Sequence, residues 1–274
     1  MDQTTLSLRD SLAERASIIQ RSASEFLAGE WSNADFRKLI DSGDGYDAAL
    51  WTKMCALGWP SLIVPEDEGG VGATMGEVVA IAEECGRALA SSPLIPHIVA
   101  TELVLSGPVG LRTRLNEAMT QGAKPLTLAV LERGLTSDRA NVSLGASSDG
   151  DGWVLNGEKL FVQAARHAST IIVAARVTGG ELVLFAVPRS TPGVDVTPMK
   201  PLDWSAVDAV SFKDVRLAAD AVIAQGDEAE RLLREALLRS DLLITAELCG
   251  LADSALELAV EYAKVRHTFG KPIG

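Results

Sequence analysis

The chain has 274 residues, 47% of them apolar, enough to bury one large core or two smaller ones and to exclude wholesale disorder. A net charge of −12 with no block of Lys or Arg argues against a nucleic-acid partner, because phosphate binding needs a basic face. No run of about eighteen uncharged apolar residues occurs, so no membrane span is expected, and Asp10, Arg15 and Glu25 interrupt any signal-like core. Cys55, Cys85 and Cys249 are odd in number and far apart, which suits buried thiols in a reducing, cytoplasmic setting. His97, His167 and His267 show no metal-ligand spacing, so no metal site is expected.

Residues 1–122 read as helical. Leu6, Leu8, Leu12, Ile18, Ile19 and Phe26 mark a first amphipathic helix, and Asp47 to Leu57 a second. Thr74 to Leu89 gives another, opened by a capping box of Thr74 and Glu77. Pro96 opens a helix through Leu105, and Pro108 one to about Met119. Pro65 to Gly72 is a glycine-rich loop with acidic flanks, read first as a turn and alternatively as a ligand contact.

The character changes near Lys124. Thr127 to Leu131, Trp153 to Leu155, Ser169 to Ala175, Leu182 to Val187 and Val207 to Phe212 are short β-prone runs. Ser148 to Gly152, Asn156-Gly157, Thr178 to Gly180 and Pro192-Gly193 punctuate them as turns. Residues 123–226 are therefore expected to form an antiparallel β-barrel or sandwich. Helices, then strands, then helix give an α+β multidomain class with segregated layers. No G-x-G-x-x-G follows a strand, so a Rossmann site has no support.

Residues 227–274 read as one long helix with an apolar stripe through Leu233, Leu237, Ile244, Leu248, Leu251, Leu258 and Tyr262, with Gly250 inside it. The helix runs into Arg266-His267-Thr268-Phe269-Gly270-Lys271-Pro272-Ile273. By itself that ending also reads as helix punctuation by Gly270 and Pro272.

Tyr262 to Ile273 resembles the Y-x-x-x-R-x-x-F-G-x-x-I signature of acyl-CoA dehydrogenases. Gly58-Trp59-Pro60 through Gly70 and Asn156-Gly157-Glu158-Lys159 are similar to two further segments of that family, in the same order. The resemblance implies a helical domain over 1–122, a β domain over 123–226, and the first helix of a C-terminal bundle over 227–274, the rest of that bundle not being expected within these residues. It further implies FAD, an acyl-CoA substrate, and a homo- or hetero-oligomer with another subunit of the same kind. The activity implied is α,β-dehydrogenation of an acyl-CoA thioester: a carboxylate takes the α-proton and the flavin takes the β-hydride. The alternatives are a catalytically inactive paralogue or structural subunit, and an acyl-CoA oxidase-like relative.

Site residues follow from the same resemblance. The family's flavin-facing T-E-P-x-x-G-S-D stands here as Leu131-Glu132-Arg133-Gly134-Leu135-Thr136-Ser137-Asp138, which retains Glu132, Ser137 and Asp138 and puts Leu131 in place of the Thr. The family's W-I-T stands as Phe161-Val162-Gln163, an aromatic face and an amide donor that read equally as sheet-face residues. Arg266 would reach the flavin pyrophosphate, and Phe269 with Gly270 would pack near the adenine end. Relatives place the base late in the bundle or, in one branch, twenty-six residues ahead of Arg266, which here is Ser240. Asp241 reads first as a solvated helix Asp and alternatively as a displaced base, and Glu247 is a carboxylate on the Ser240 face among Ala and Leu. The loop from Pro65 to Gly72 would shape the acyl entrance.

Overall fold

The computed structural model describes residues 3–134, 142–177, 180–203 and 205–274, with side chains from residue 14 onward. Seven α-helices are described: α1 (Gln3–Glu30), α2 (Asn33–Ser42), α3 (Ala48–Ala56), α4 (Met75–Ala88), α5 (Leu94–Leu105), α6 (Val109–Gln121) and α7 (Gly226–Val265). The strands are β1 (Leu126–Ala129), β2 (Gly145–Asp149), β3 (Gly152–Gln163), β4 (Thr170–Val177), β5 (Leu182–Pro188), β6 (Val194–Pro198), β7 (Val207–Ala218) and β8 (Val222–Gln225). A terminal hairpin adds β9 (His267–Thr268) and β10 (Lys271–Pro272). The order is helices, strands, helix, as the sequence implies.

Two compact units form, one from Met1–Lys38, Thr74–Ser91 and Asp241–Gly274, the other from Leu39–Ala73 and Ser92–Ser240. In the first, α1 packs on α4, and Thr74 and Glu77 form the expected capping box, with Thr74 N donating to Glu77 Oε2 at 2.6 Å. The chain of α4 also meets that of α7 at two glycines. A Cβ on Gly86 would lie 1.9 Å from the Glu247 carbonyl oxygen, and one on Gly250 1.9 Å from that of Glu83. Gly250, placed inside α7, is there because the backbones touch.

In the second unit the sheet runs β6-β7-β3-β2-β4-β5-β8, with β1 beside β4. It is mixed, not the purely antiparallel barrel or sandwich expected from turn spacing: β1 and β2 each pair parallel with β4, and the other pairs are antiparallel. Its core is aliphatic and aromatic, built around Leu155, Ile171, Val173, Phe185, Val210 and Phe212. Burying each such side chain stabilises by about 1.5–3 kcal/mol relative to exposure.

Asn156-Gly157 is not a turn. β3 continues through it: Asn156 Nδ2 donates to Asp214 Oδ1 at 3.1 Å, and Gly157, at φ 143°, packs against Leu144 as β3 shifts register on β7. Pro65 to Gly72 is a self-bonded turn, with Gly70 N donating to Pro65 O and Gly72 N to Val64 O. A Cβ on Gly70 would sit 2.0 Å from the Val64 carbonyl oxygen. Among the described residues no helix is long and apolar enough to cross a membrane.

Candidate functional site

In the second unit the structure brings Leu131, Phe161 and Gln163 to one edge of β3. The chain leaving β1 runs beside β3: Thr127 Oγ1 donates to the Gln163 carbonyl at 2.6 Å, and Leu160 N donates to the Leu131 carbonyl at 2.8 Å. Between Lys159 and Val162 the β3–β7 register shifts. This bulge holds Phe161 at φ 54°, a strained conformation for a bulky residue, and leaves it 42% exposed. Gln163, two residues on, is also exposed, while Val162 between them is buried. An exposed aromatic face and an exposed amide thus stand together. Ser137 and Asp138 lie outside the described residues.

Behind that edge is a buried ion pair. Lys159 is fully buried, its Nζ donating to Glu132 Oε1 at 2.6 Å and to the Val130 carbonyl at 3.0 Å. Glu132 accepts in addition from Ser143 N at 2.9 Å, from Leu144 N at 2.9 Å, and from Ser143 Oγ. Burial lowers the Lys159 pKa to about 8, against the raising effect of Glu132. Burial pushes Glu132 up, but bonds from Lys159, Ser143 and Leu144 outweigh it and hold the carboxylate below its ordinary value. The sequence shows Glu132 and Lys159 as separate motif letters, twenty-seven residues apart, and no local pattern links them.

A polar cleft of about 180 Å³ in the same unit is lined by Glu102, Ser106, Arg231, Glu235 and Arg239, with Leu103, Leu232 and Ala236. Arg239 pairs with Glu102, and Arg231 with Glu235 at 2.7 Å. Burial raises the Glu102 pKa, Arg239 opposing it and Glu235 adding to it. No local sequence pattern links these residues, which come from two segments far apart along the chain. Neither Asp241 nor Glu247 lines the cleft.

In the first unit α7 ends at Val265 and the chain turns into the β9–β10 hairpin. Phe269 (φ 52°) and Gly270 (φ 80°) are its two central residues, both in the left-handed region that a type I′ turn requires. Arg266 is exposed and has no side-chain bond or ion pair among the described residues, and the ring of Phe269 is fully exposed. With Lys264, His267 and Lys271 alongside, Arg266 belongs to a basic stretch in a chain of net charge −12. The ending is thus a built turn presenting a cation and an aromatic ring, not simple helix punctuation.

The candidate bases differ in surroundings. Asp241 is exposed, its backbone carbonyl taking the Thr245 hydroxyl. Glu247 is mostly buried at the crossing with α4, beside Cys85, and burial raises its pKa to about 7. Ser240 is half-buried and carries no carboxylate.

Two family models match this architecture: the acyl-CoA dehydrogenase N-terminal domain over residues 13–122 and the acyl-CoA dehydrogenase middle domain over 127–215. The chain belongs to the acyl-CoA dehydrogenase family. The acyl-CoA dehydrogenase FadE12 of Mycobacterium tuberculosis is 30% identical over 239 residues, 84% of this chain and 62% of that protein. The chain therefore spans less than two thirds of the length of this relative. Its fold matches the ChsE4–ChsE5 complex from Mycobacterium tuberculosis with a TM-score of 0.86 at 25% identity, covering 95% of this chain and 70% of that one. It also matches the fold of an acyl-CoA dehydrogenase complexed with FAD from Bacillus anthracis, with a TM-score of 0.85 at 22% identity, covering 95% of this chain and 46% of that one.

Proposed function

We propose that this protein supports FAD-dependent α,β-dehydrogenation of an acyl-CoA thioester as one subunit of an oligomer with another acyl-CoA dehydrogenase chain. The observation that carries the reading is the pairing of family membership with two exposed aromatic and donor sets: Phe161 and Gln163 on β3, beside half-buried Leu131 on the chain leaving β1, and Arg266, Phe269 and Gly270 at the terminal hairpin. Both suit FAD. An exposed ring and amide fit the rim and face of an isoalloxazine, and an exposed guanidinium fits a pyrophosphate bidentately. Bound FAD supplies acceptance of the β-hydride. This chain's own residues bind and orient: Phe161 shields one face from water, Gln163 donates from its amide, and Arg266 neutralises phosphate charge.

The α-proton is the part this chain serves least. Ser240, where one branch of the family keeps a carboxylate, cannot abstract a proton without a base of its own, and no His stands on α7. Glu247 is committed to the α4 crossing, and Asp241 is exposed. The proton-abstracting carboxylate is accordingly assigned outside these residues, to the remainder of the C-terminal bundle or to a partner subunit. Ser240 also favours a second reading, a subunit that completes an assembly without turning over substrate itself.

Arg266→Ala tests the cofactor assignment. Loss of a charge-assisted bidentate contact is expected to weaken FAD binding by roughly 2–3 kcal/mol, about thirty- to a hundredfold, with helix content unchanged. Equilibrium titration of the apoprotein assembly with FAD, followed by flavin fluorescence, reads the effect. Unchanged affinity would remove Arg266 from the site.

A further inference from the structure

Beside the stretch of β3 that carries Phe161, the chain between Val130 and Glu132 is fastened to that strand. Three bonds do the fastening, two of them from one side chain. Lys159 Nζ grips the carbonyl of Val130 at 3.0 Å and the carboxylate of Glu132 at 2.6 Å, on either side of Leu131. The Leu131 carbonyl takes the third bond, from Leu160 N at 2.8 Å. Lys159 is also the last residue of β3 in regular register before the bulge that turns Phe161 outward. We infer that Lys159 and Glu132 are positioning residues for the flavin-facing edge, setting Leu131 against Phe161 without touching the cofactor.

The arrangement is stronger than packing requires. A fully buried Lys is costly to desolvate unless its charge is matched, and an apolar side chain of similar volume would fill the space at less cost. What an apolar residue cannot do is hold two acceptors on either side of Leu131 at fixed distance. Glu132 in turn is held by Ser143 and Leu144, so the position of the pair is set from both directions.

The inference rests on the FAD reading above, and the test separates the two. FAD affinity and the visible circular dichroism of bound flavin are measured for the wild-type chain in its assembly, and for Lys159→Met, Lys159→Arg and Glu132→Gln. Lys159→Met and Glu132→Gln are expected to bind FAD about tenfold more weakly or worse, the scale on which outer-shell partners act. Their flavin band should be altered, and Lys159→Arg should recover both readouts in part. Should Lys159→Met fail to fold, Glu132→Gln, which keeps volume and an acceptor oxygen, carries the test. A wild type that binds no FAD overturns the functional reading and this inference with it. A wild type that binds FAD, with variants that match its affinity and spectrum while unfolding at lower temperature, overturns the inference alone.

Discussion

Raising the pH from about 4.5 to about 8 is expected to weaken the unit of α1, α4 and the C-terminal part of α7 by roughly 2–3 kcal/mol through Glu247 alone. Burial at the α4 crossing raises this carboxyl from 4.5 to about 7. Because the folded pKa lies above the unfolded one, the stability it contributes is fully present below about 4.5 and is lost as the pH climbs through 7. The figure is discounted from the full shift because the side chain keeps some contact with water. Glu247→Gln should remove this dependence, so that the variant gains on wild type as the pH rises. Denaturant unfolding of both chains at several pH values measures the gap. Parallel curves would show Glu247 to be solvated, and would free it for the base role that its packing now argues against.

The second expected result has the opposite sign. His97 is fully buried in the other unit, its Nδ1 accepting from Leu126 N at 3.0 Å and its Nε2 donating to the Met119 carbonyl at 3.2 Å. Those partners fix the neutral tautomer and tie α5, α6 and β1 together. Burial lowers the pKa from 6.5 to about 4, against the raising effect of the Met119 carbonyl. The unfolded chain takes up a proton that the folded one refuses, so this stability is present above about 6.5 and is lost as the pH falls toward 4. About 3 kcal/mol is at stake over that interval. His97→Gln, which keeps a donor and an acceptor, should flatten the acid limb relative to wild type, and the imidazole resonances of His97 should stay neutral at pH values where exposed histidines are charged. An imidazole that titrates normally would contradict the assignment.

Much of the architecture was legible because local signals carry it. Thr74 and Glu77 announce α4, and the apolar spacing of Leu233 to Tyr262 announces α7. What was not legible lacked such a signal. α2 buries only Leu39, β2 reads Gly-Ala-Ser-Ser-Asp with one buried residue, and β6 reads Val-Asp-Val-Thr-Pro with none. The sheet was expected to be antiparallel because turn residues count hairpins; the parallel pairings of β1 and β2 with β4 join segments far apart in sequence, which no turn marks. Asn156-Gly157 has the composition of a hairpin turn, yet Asp214 and Leu144 claim it for a bulged strand. The candidate site follows the same division. The positions of Phe161, Gln163 and Arg266 came from motif letters, whereas the Glu132–Lys159 pair, the Glu102–Arg239 pair and the surroundings of Glu247 depend on contacts that only the fold creates.

The proposed activity stands most directly on one measurement. The chain is co-purified with its partner subunit, loaded with FAD, made anaerobic and titrated with a panel of acyl-CoA thioesters while the flavin absorbance is followed. The prediction is bleaching of the flavin by at least one thioester, with an enoyl-CoA product two hydrogens lighter. An assembly that holds FAD tightly and stays oxidised against the whole panel, or one that binds no FAD, would contradict it.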